Sequence, residues 1–294
     1  MFDDSKIDVQ RSLFDRFNRI VIEDNKPRDS KSFNLPAEDL KHCEKIQKEF
    51  DVIIENLRDF NALYRSVKAE ADNLEKYKNI EIMSEYLLHF PSENFEEKER
   101  KAKQSFIDII SRYFYKKYNL KEIDFSELFN LENLSYKKIV DKIFSEFGDI
   151  IKCGISNLKN DFRERFVKLR PFDEPTPPKL NKNKVSLRDG FWYNSNWNNT
   201  EFYFARDNES YIIFKRALLY YETGDITAEK ECNFPKAGHK NWIDFSKPYE
   251  LNLEKIKAIK FFKNHRVDIT FKSSEYAKEF FDMFEMAHPI DKRR

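Results

Sequence analysis

Between Cys43 and Leu74 apolar residues recur at alternating steps of three and four: Cys43, Ile46, Phe50, Ile53, Leu57, Phe60, Tyr64, Val67, Ala71 and Leu74. Side chains at that spacing lie on one stripe of an α-helix, whereas a strand would need alternation by two. The pattern predicts a helix from about Pro36 to Tyr77, about 60 Å long at 1.5 Å per residue unless it bends. A stripe of that length needs a cover. Either it zips two copies of the chain together as a coiled-coil dimer, or it forms one face of an antiparallel bundle within one chain. Mixed Phe, Tyr, Ala and Cys knobs favour the bundle over a uniform dimer seam, which makes a monomer the expectation.

Other helical stripes supply partners for such a bundle. Val9, Leu13, Phe17, Ile20 and Val21 mark one, closed by Pro27. A second follows a capping-box arrangement at Asn94 and Glu97, with Ala102, Phe106, Ile109, Ile110, Tyr113 and Phe114 on one face. Its acidic start and its basic end at Lys116 and Lys117 match the helix dipole. A third begins at Ser135 with Tyr136, Ile139, Val140, Ile143, Phe144 and Phe147. Gly148 or Gly154 is its natural break, after which Leu158, Phe162, Phe166 and Leu169 continue a stripe.

The composition then changes. RPFDEPTPPKLNKNK, Arg170 to Lys184, holds four prolines and few apolar residues, which reads as a stiff, solvated linker. Three regions are therefore expected: a helical bundle over 1–170, a Pro-rich linker over 171–184, and an α+β module over 185–294. The fold class is mainly α with a C-terminal α+β module. Within that module Phe191 to Phe204 reads as irregular structure or short strands, and Ile212 to Tyr221 as a helix ended by Gly224. Ile259 to Lys263 and Arg266 to Lys272 form a β-hairpin turning at Asn264 and His265, with Val267, Ile269 and Phe271 facing inward. Ser273 or Ser274 caps a last helix that covers that face.

Composition narrows the chemistry. The five glycines (Gly148, Gly154, Gly190, Gly224, Gly238) never lie close enough to build a phosphate-cradling loop, which disfavours the common nucleotide-dependent enzymes. Cys43, Cys153 and Cys232 are too few and too scattered for a disulfide framework or a zinc site, and they suit a reducing cytosol. Cys43 falls on the heptad stripe and reads as a buried structural thiol. His42, His89, His239, His265 and His288 have no ligand-spaced neighbours, so no metal or cofactor is expected. No apolar run approaches the roughly 18 residues of a membrane span, and the acidic N-terminus lacks a signal-peptide core. With no catalytic constellation in view, a non-enzymatic binding protein is the expectation.

A net charge of +1 gives the whole molecule no pull on nucleic acid, so any such binding must be local. The best candidate is the hairpin: Lys255, Lys257, Lys260, Lys263, Arg266 and Lys272, with His265 at the turn, against Asp268 alone. Those cations either neutralise phosphates or protect an exposed strand from pairing with other chains. The second is the run RYFYKKY: Tyr113 and Phe114 fit the buried stripe of their helix, which leaves Tyr115, Lys116, Lys117 and Tyr118 as the accessible rings and charges for unpaired bases. Trp192 and Trp197 are the third.

KAIKFFKNHRVDITFKSSEYAKEFFDMF, Lys257 to Phe284, resembles the C-terminal signature of an uncharacterised domain family with a strand, an FKNGR-like turn, a VDI-F strand and a closing helix. His265 stands where that family usually has Gly. The resemblance implies a phage, plasmid or other mobile-element setting, in which members stand alone or are joined to adenine-specific DNA methyltransferases. No methyltransferase motif occurs here. In size and Phe-rich character the chain is also similar to anti-CRISPR proteins directed at RNA-cleaving, type VI-B effectors. That likeness implies a cytoplasmic inhibitor that binds a CRISPR effector protein or its guide RNA. The alternative it leaves is a DNA-binding specificity module working beside a separate methyltransferase.

Overall fold

The computed structural model describes residues 35–75 (backbone only from 71), 95–124, 133–167, 177–188, 191–196, 198, 201–230 and 232–287. The stripe over Val9–Val21, the cap at Asn94, Ala71 and Leu74, His89, Trp197 and His288 lie outside the described residues or side chains. Met1–Lys41 and His42–Arg294 are two compact units. In the first, Leu40 N–H donates to the Pro36 carbonyl at 3.0 Å, opening the first helix.

That helix, α1 (Ala37–Glu75), continues into the second unit as the heptad pattern requires. It runs antiparallel to α2 (Phe95–Tyr118): His42 stacks on Tyr113, Phe50 on Phe106, and both Phe60 and Tyr64 meet Phe95. Cys43, Phe50 and Ile54 are buried in this contact. The stripe is thus used within the chain, but only on one side. Ile53 (51% exposed), Phe60 (47%) and Val67 remain open, with Val52 and Leu63 beside them. Ring-to-ring packing on α2 uses one flank of a stripe whose apolar positions spread further round the helix.

Helix α3 (Tyr136–Phe147) starts after Ser135, yet Ser135 makes no side-chain cap. Instead Gln47 of α1 accepts from the Tyr136 N–H at 2.8 Å, joining the two helices. Gly148, at φ +62°, ends α3, and Asp149 caps α4 (Ile150–Phe166) by accepting from the Lys152 N–H. Gly154 therefore sits inside α4. A Cβ there would lie 1.8 Å from the Tyr118 carbonyl oxygen, so only glycine lets α4 approach the end of α2 this closely.

The linker expectation is corrected. Lys179–Asn181 (β1) and Lys184–Leu187 (β2) form a hairpin through Lys182 and Asn183, with Lys182 at φ +51°. The prolines precede the sheet instead of separating two domains. Nor does a boundary follow α4: Phe162 packs on Phe280 and Phe284, and Phe166 on Phe191 and Phe214. Phenylalanines from helices and sheet share one core, so the bundle and the module belong to the same unit.

The rest of the module follows in order. Asn194–Ser195 (β3) and Phe202–Tyr203 (β4) make a small antiparallel pair. Helix α5 (Glu209–Thr223) is ended by Gly224 in the left-handed conformation, as its sequence predicts, and is capped at its start by Asn208. Strands β5 (Tyr249–Glu250), β6 (Ile256–Phe261) and β7 (Val267–Phe271) complete an antiparallel sheet of order β1-β2-β7-β6-β5. Ser273 caps α6 (Ser274–Met283) by accepting from the Tyr276 N–H. The fold is mainly α with a C-terminal antiparallel sheet closed by a helix.

Helices α5 and α6 pack on one sheet face. Phe214 meets Phe261, Tyr221 meets Phe271, and Phe280 meets both Phe271 and Tyr221. Phe191 is the hub, touching Phe166, Phe204, Phe214 and Phe261. Each buried ring contributes about 1.5–3 kcal/mol relative to exposure, so this cluster fixes which sheet face is left for other work.

Candidate nucleic-acid interface

Strand alternation decides what that other face carries. Register pairs Lys260 with Asp268, Ser186 with Asp268, Lys184 with Thr270, and Lys179 with Ser186, which places these side chains on the face opposite Phe261, Ile269 and Val185. Arg266 and Phe262, one step beyond the strand ends, continue the same parity. Their contact confirms it: the Arg266 guanidinium lies 3.8 Å from the centroid of the Phe262 ring. Lys179 and Asn181 are exposed, and Lys184, Lys260 and Arg266 are half-buried.

Asp268 lies among these cations and is buried, and Glu250, paired with Ala258, puts an exposed carboxylate on the same face at its β5 edge. It accepts from the Ser186 hydroxyl at 2.8 Å, and Arg266 Nε and Lys184 Nζ lie 3.3 and 3.7 Å from its oxygens. Arg266 Nε sits within ion-pair distance but is not aligned for a hydrogen bond, so its attraction to Asp268 is coulombic. Lys260 Nζ donates to the Ser246 carbonyl at 3.2 Å and lies over Phe262. The charge is held on short, stacked or strand-bound stems, and less entropy is lost when such groups meet a ligand.

At the tip the hairpin loop is Phe262 to Arg266, closed by the Phe262 N–H donating to the Arg266 carbonyl and the His265 N–H to the Phe262 carbonyl. His265 adopts φ +64°, the conformation for which glycine is the usual choice. Its ring compensates by stacking on Tyr193, 5.5 Å between centroids, and Trp192 lies 5.3 Å away. Trp192, 59% exposed, thereby joins the hairpin cations. Tyr193 donates to the Phe262 carbonyl at 3.2 Å, and burial pushes its phenol pKa well above the ordinary tyrosine value. Lys263 Nζ lies 5.6 Å from the Phe202 ring.

Not every predicted residue comes to this face. Lys255 Nζ donates to the Tyr221 carbonyl at 3.1 Å and rests on the Tyr221 ring, a structural clasp on the helix side. Lys257 is exposed at the irregularity between Ile256 and Ala258, and Lys272, one step beyond β7, keeps the parity of Asp268 and Thr270 but stands exposed at the far end from the loop. In the RYFYKKY run, Tyr115 (5% exposed) and Tyr118 (2%) are core residues, which corrects their reading as base-stacking candidates. Tyr115 donates to the Ile123 carbonyl and Tyr118 stacks on Phe114, because α2 is covered from several sides. Lys117 Nζ meets the Tyr113 hydroxyl at 3.2 Å, leaving Lys116 exposed.

Sequence reading missed Lys179, Lys184 and Ser186, which lay in or beside the presumed linker, and Phe262, taken for a strand residue only. The available signal was the short alternation Lys184 to Leu187 after Asn183. Among the described residues no group of three His, Cys, Asp or Glu side chains is placed to hold a metal, and no helix is long and apolar enough to cross a membrane. No family model, curated protein or solved structure matches the chain.

Proposed function

We propose that this chain is a non-enzymatic binding protein that holds the phosphate backbone of a nucleic acid on the basic face of its sheet. The observation that carries this reading is the grouping of Lys179, Lys184, Lys260 and Arg266 on one sheet face, with Lys257 and Lys263 exposed on the same hairpin. Asp268, ion-paired with Lys184 and Arg266, is buried, and Glu250 stands at the β5 edge of the same face. Edge protection alone does not account for the pattern, since β6 and β7 are interior strands with neighbours on both sides. Six such cations suffice for salt-dependent affinity without base-specific contacts.

In the mobile-element setting implied by the resemblance at Lys257–Phe284, the ligand is the guide RNA of an RNA-guided effector, alone or with the effector protein, and the chain is its cytoplasmic inhibitor. The free thiols of Cys43, Cys153 and Cys232 suit that compartment. The methyltransferase-accessory reading uses the same face for duplex DNA, so duplex and single-stranded probes separate the two. A direct test is to change Lys257 and Lys263 to Glu, and Lys260 and Arg266 to Gln, which avoids placing a new carboxylate beside Asp268. This variant should lose binding to both RNA and the effector–RNA complex, while Lys116→Glu should leave it intact. Retained binding in the fourfold variant removes the sheet face from the mechanism.

A second reading, assembly of two copies through α1, is favoured by the open stripe of Ile53, Phe60, Leu63 and Val67. Sedimentation at several concentrations tests it. A constant monomer mass rejects it.

A further inference from the structure

The geometry points to the hairpin tip as a stacking site for an unpaired base, with single-stranded nucleic acid as the ligand class. This rests on the phosphate-binding reading and adds to it what the strand must look like.

Four rings run outward from the core at this point. Phe204 is buried; Tyr193 meets it at 5.5 Å; His265 stacks on Tyr193 with planes 13° apart; and Trp192 follows at 5.3 Å. Exposure grows along the series and ends in an indole presented to solvent. A large exposed aromatic on a mobile loop would lose entropy on binding, but Trp192 is anchored. Its carbonyl accepts from the Asn208 side chain at 2.9 Å, and Asn208 is itself the N-cap of α5. The neighbouring Tyr193 is tied to the hairpin through Phe262. The platform is therefore built before a ligand arrives.

Stacking on an indole requires an accessible base face, which a duplex keeps inside its own stack. A base placed on Trp192 lies beside His265, and the loop that carries His265 also carries Lys263 and Arg266 for the flanking phosphates. Arg266, stacked on Phe262, stands at the same hairpin loop on the sheet's basic face. Rings and cations interleaved in this way bind every base through its π face and the backbone through charge, with little sequence preference.

The test uses the full chain and three labelled probes: a short oligouridylate, the same length with abasic positions, and a duplex of equal length. The stacking site predicts that the oligouridylate binds on the order of tenfold more tightly than the abasic strand. Trp192→Ala should erase that advantage while leaving duplex affinity unchanged, and Trp192→Phe should restore most of it. Equal affinity for the normal and abasic strands, or a Trp192→Ala protein that binds as the wild type does, overturns the stacking site even if the fourfold charge variant loses binding. If the wild type binds none of the probes, the phosphate-binding reading falls with it. Should Trp192→Ala fail to fold, the abasic comparison on the wild type decides alone.

Discussion

The Arg216 guanidinium on α5 donates to the main-chain carbonyl of Lys116 at 2.7 Å, across a separation of 100 residues. It also donates to the side chain of Asn119, whose own amide reaches Asp161 on α4 at 3.2 Å. One half-buried side chain thus caps the end of α2 and ties α2, α4 and α5 together. Burial lowers its pKa, and the negative charges of Asp161 and Glu229 oppose that shift. Arg216→Ala should lower stability by about 2 kcal/mol, the range for hydrogen bonds made by a charged group. The urea midpoint checks this, with an unchanged denaturant slope showing that the fold is retained.

Gly154 gives a sharper contrast. Its missing Cβ would collide with the Tyr118 carbonyl, whereas nothing stands within 4 Å of a Cβ at Gly148. Gly154→Ala must push two helix backbones apart and should cost about 3 kcal/mol or more. Gly148→Ala meets no neighbour but must hold φ +62°, ψ −115°, outside the regions open to L residues, and should cost about 1–3 kcal/mol. Thermal denaturation of the pair gives the order, and a milder Gly154→Ala would contradict the close approach of α4 to α2.

Three phenols whose surroundings disfavour the phenolate set an alkaline limit. Burial raises the pKa of Tyr193, Tyr211 and Tyr221, with a hydrogen bond to Glu279 adding to the shift at Tyr221. A folded-state value above the unfolded value of about 10 means that the native state keeps protons the unfolded chain loses. Their contribution is complete below about pH 10 and is lost as pH rises toward the folded values. Melting temperature should therefore fall above about pH 10, and Tyr193→Phe should flatten the fall, since Phe keeps the ring without titrating. An unchanged pH profile in that variant would contradict the shift.

Asp268 pairs with Lys184 and Arg266, so on the proposed phosphate-binding face it would compete with phosphate for them. Asp268→Asn should tighten nucleic-acid binding and steepen its salt dependence by up to about one unit of log–log slope per released cation. It should also cost about 1–2 kcal/mol of stability, because the hydrogen bond from Ser186 weakens. Weaker binding in this variant would show that Asp268 orients the cations more than it masks them.

Most of the helical architecture was legible in the sequence because period and punctuation agree there. The heptad stripe made α1, Gly224 stopped α5, and Ser273 opened α6, each through a local rule. What stayed hidden depends on partners far away in sequence. Two- to four-residue strands such as β1, β2 and β5 carry too few positions to show alternation, and four prolines nearby made β1 look like part of a linker. Tyr115 and Tyr118 looked accessible because their burial comes from α3 and α4, not from spacing within α2. The hairpin cations were visible as a charged run. That Lys184 joins them from β2, and Trp192 through His265, is a consequence of tertiary pairing that no local pattern encodes.

The slope of binding affinity against salt concentration, measured with a single-stranded probe, tests the central claim most directly. If Lys184, Lys257, Lys260, Lys263 and Arg266 each neutralise a phosphate, log K should fall with log salt at a slope of about −3.5, from about −0.7 per contact on a single strand. The variant changed at Lys257, Lys260, Lys263 and Arg266 keeps only Lys184 of these five and should show a slope of about −0.7 and little residual affinity. An identical slope in wild type and variant, or no binding by the wild type at low salt, would contradict the account.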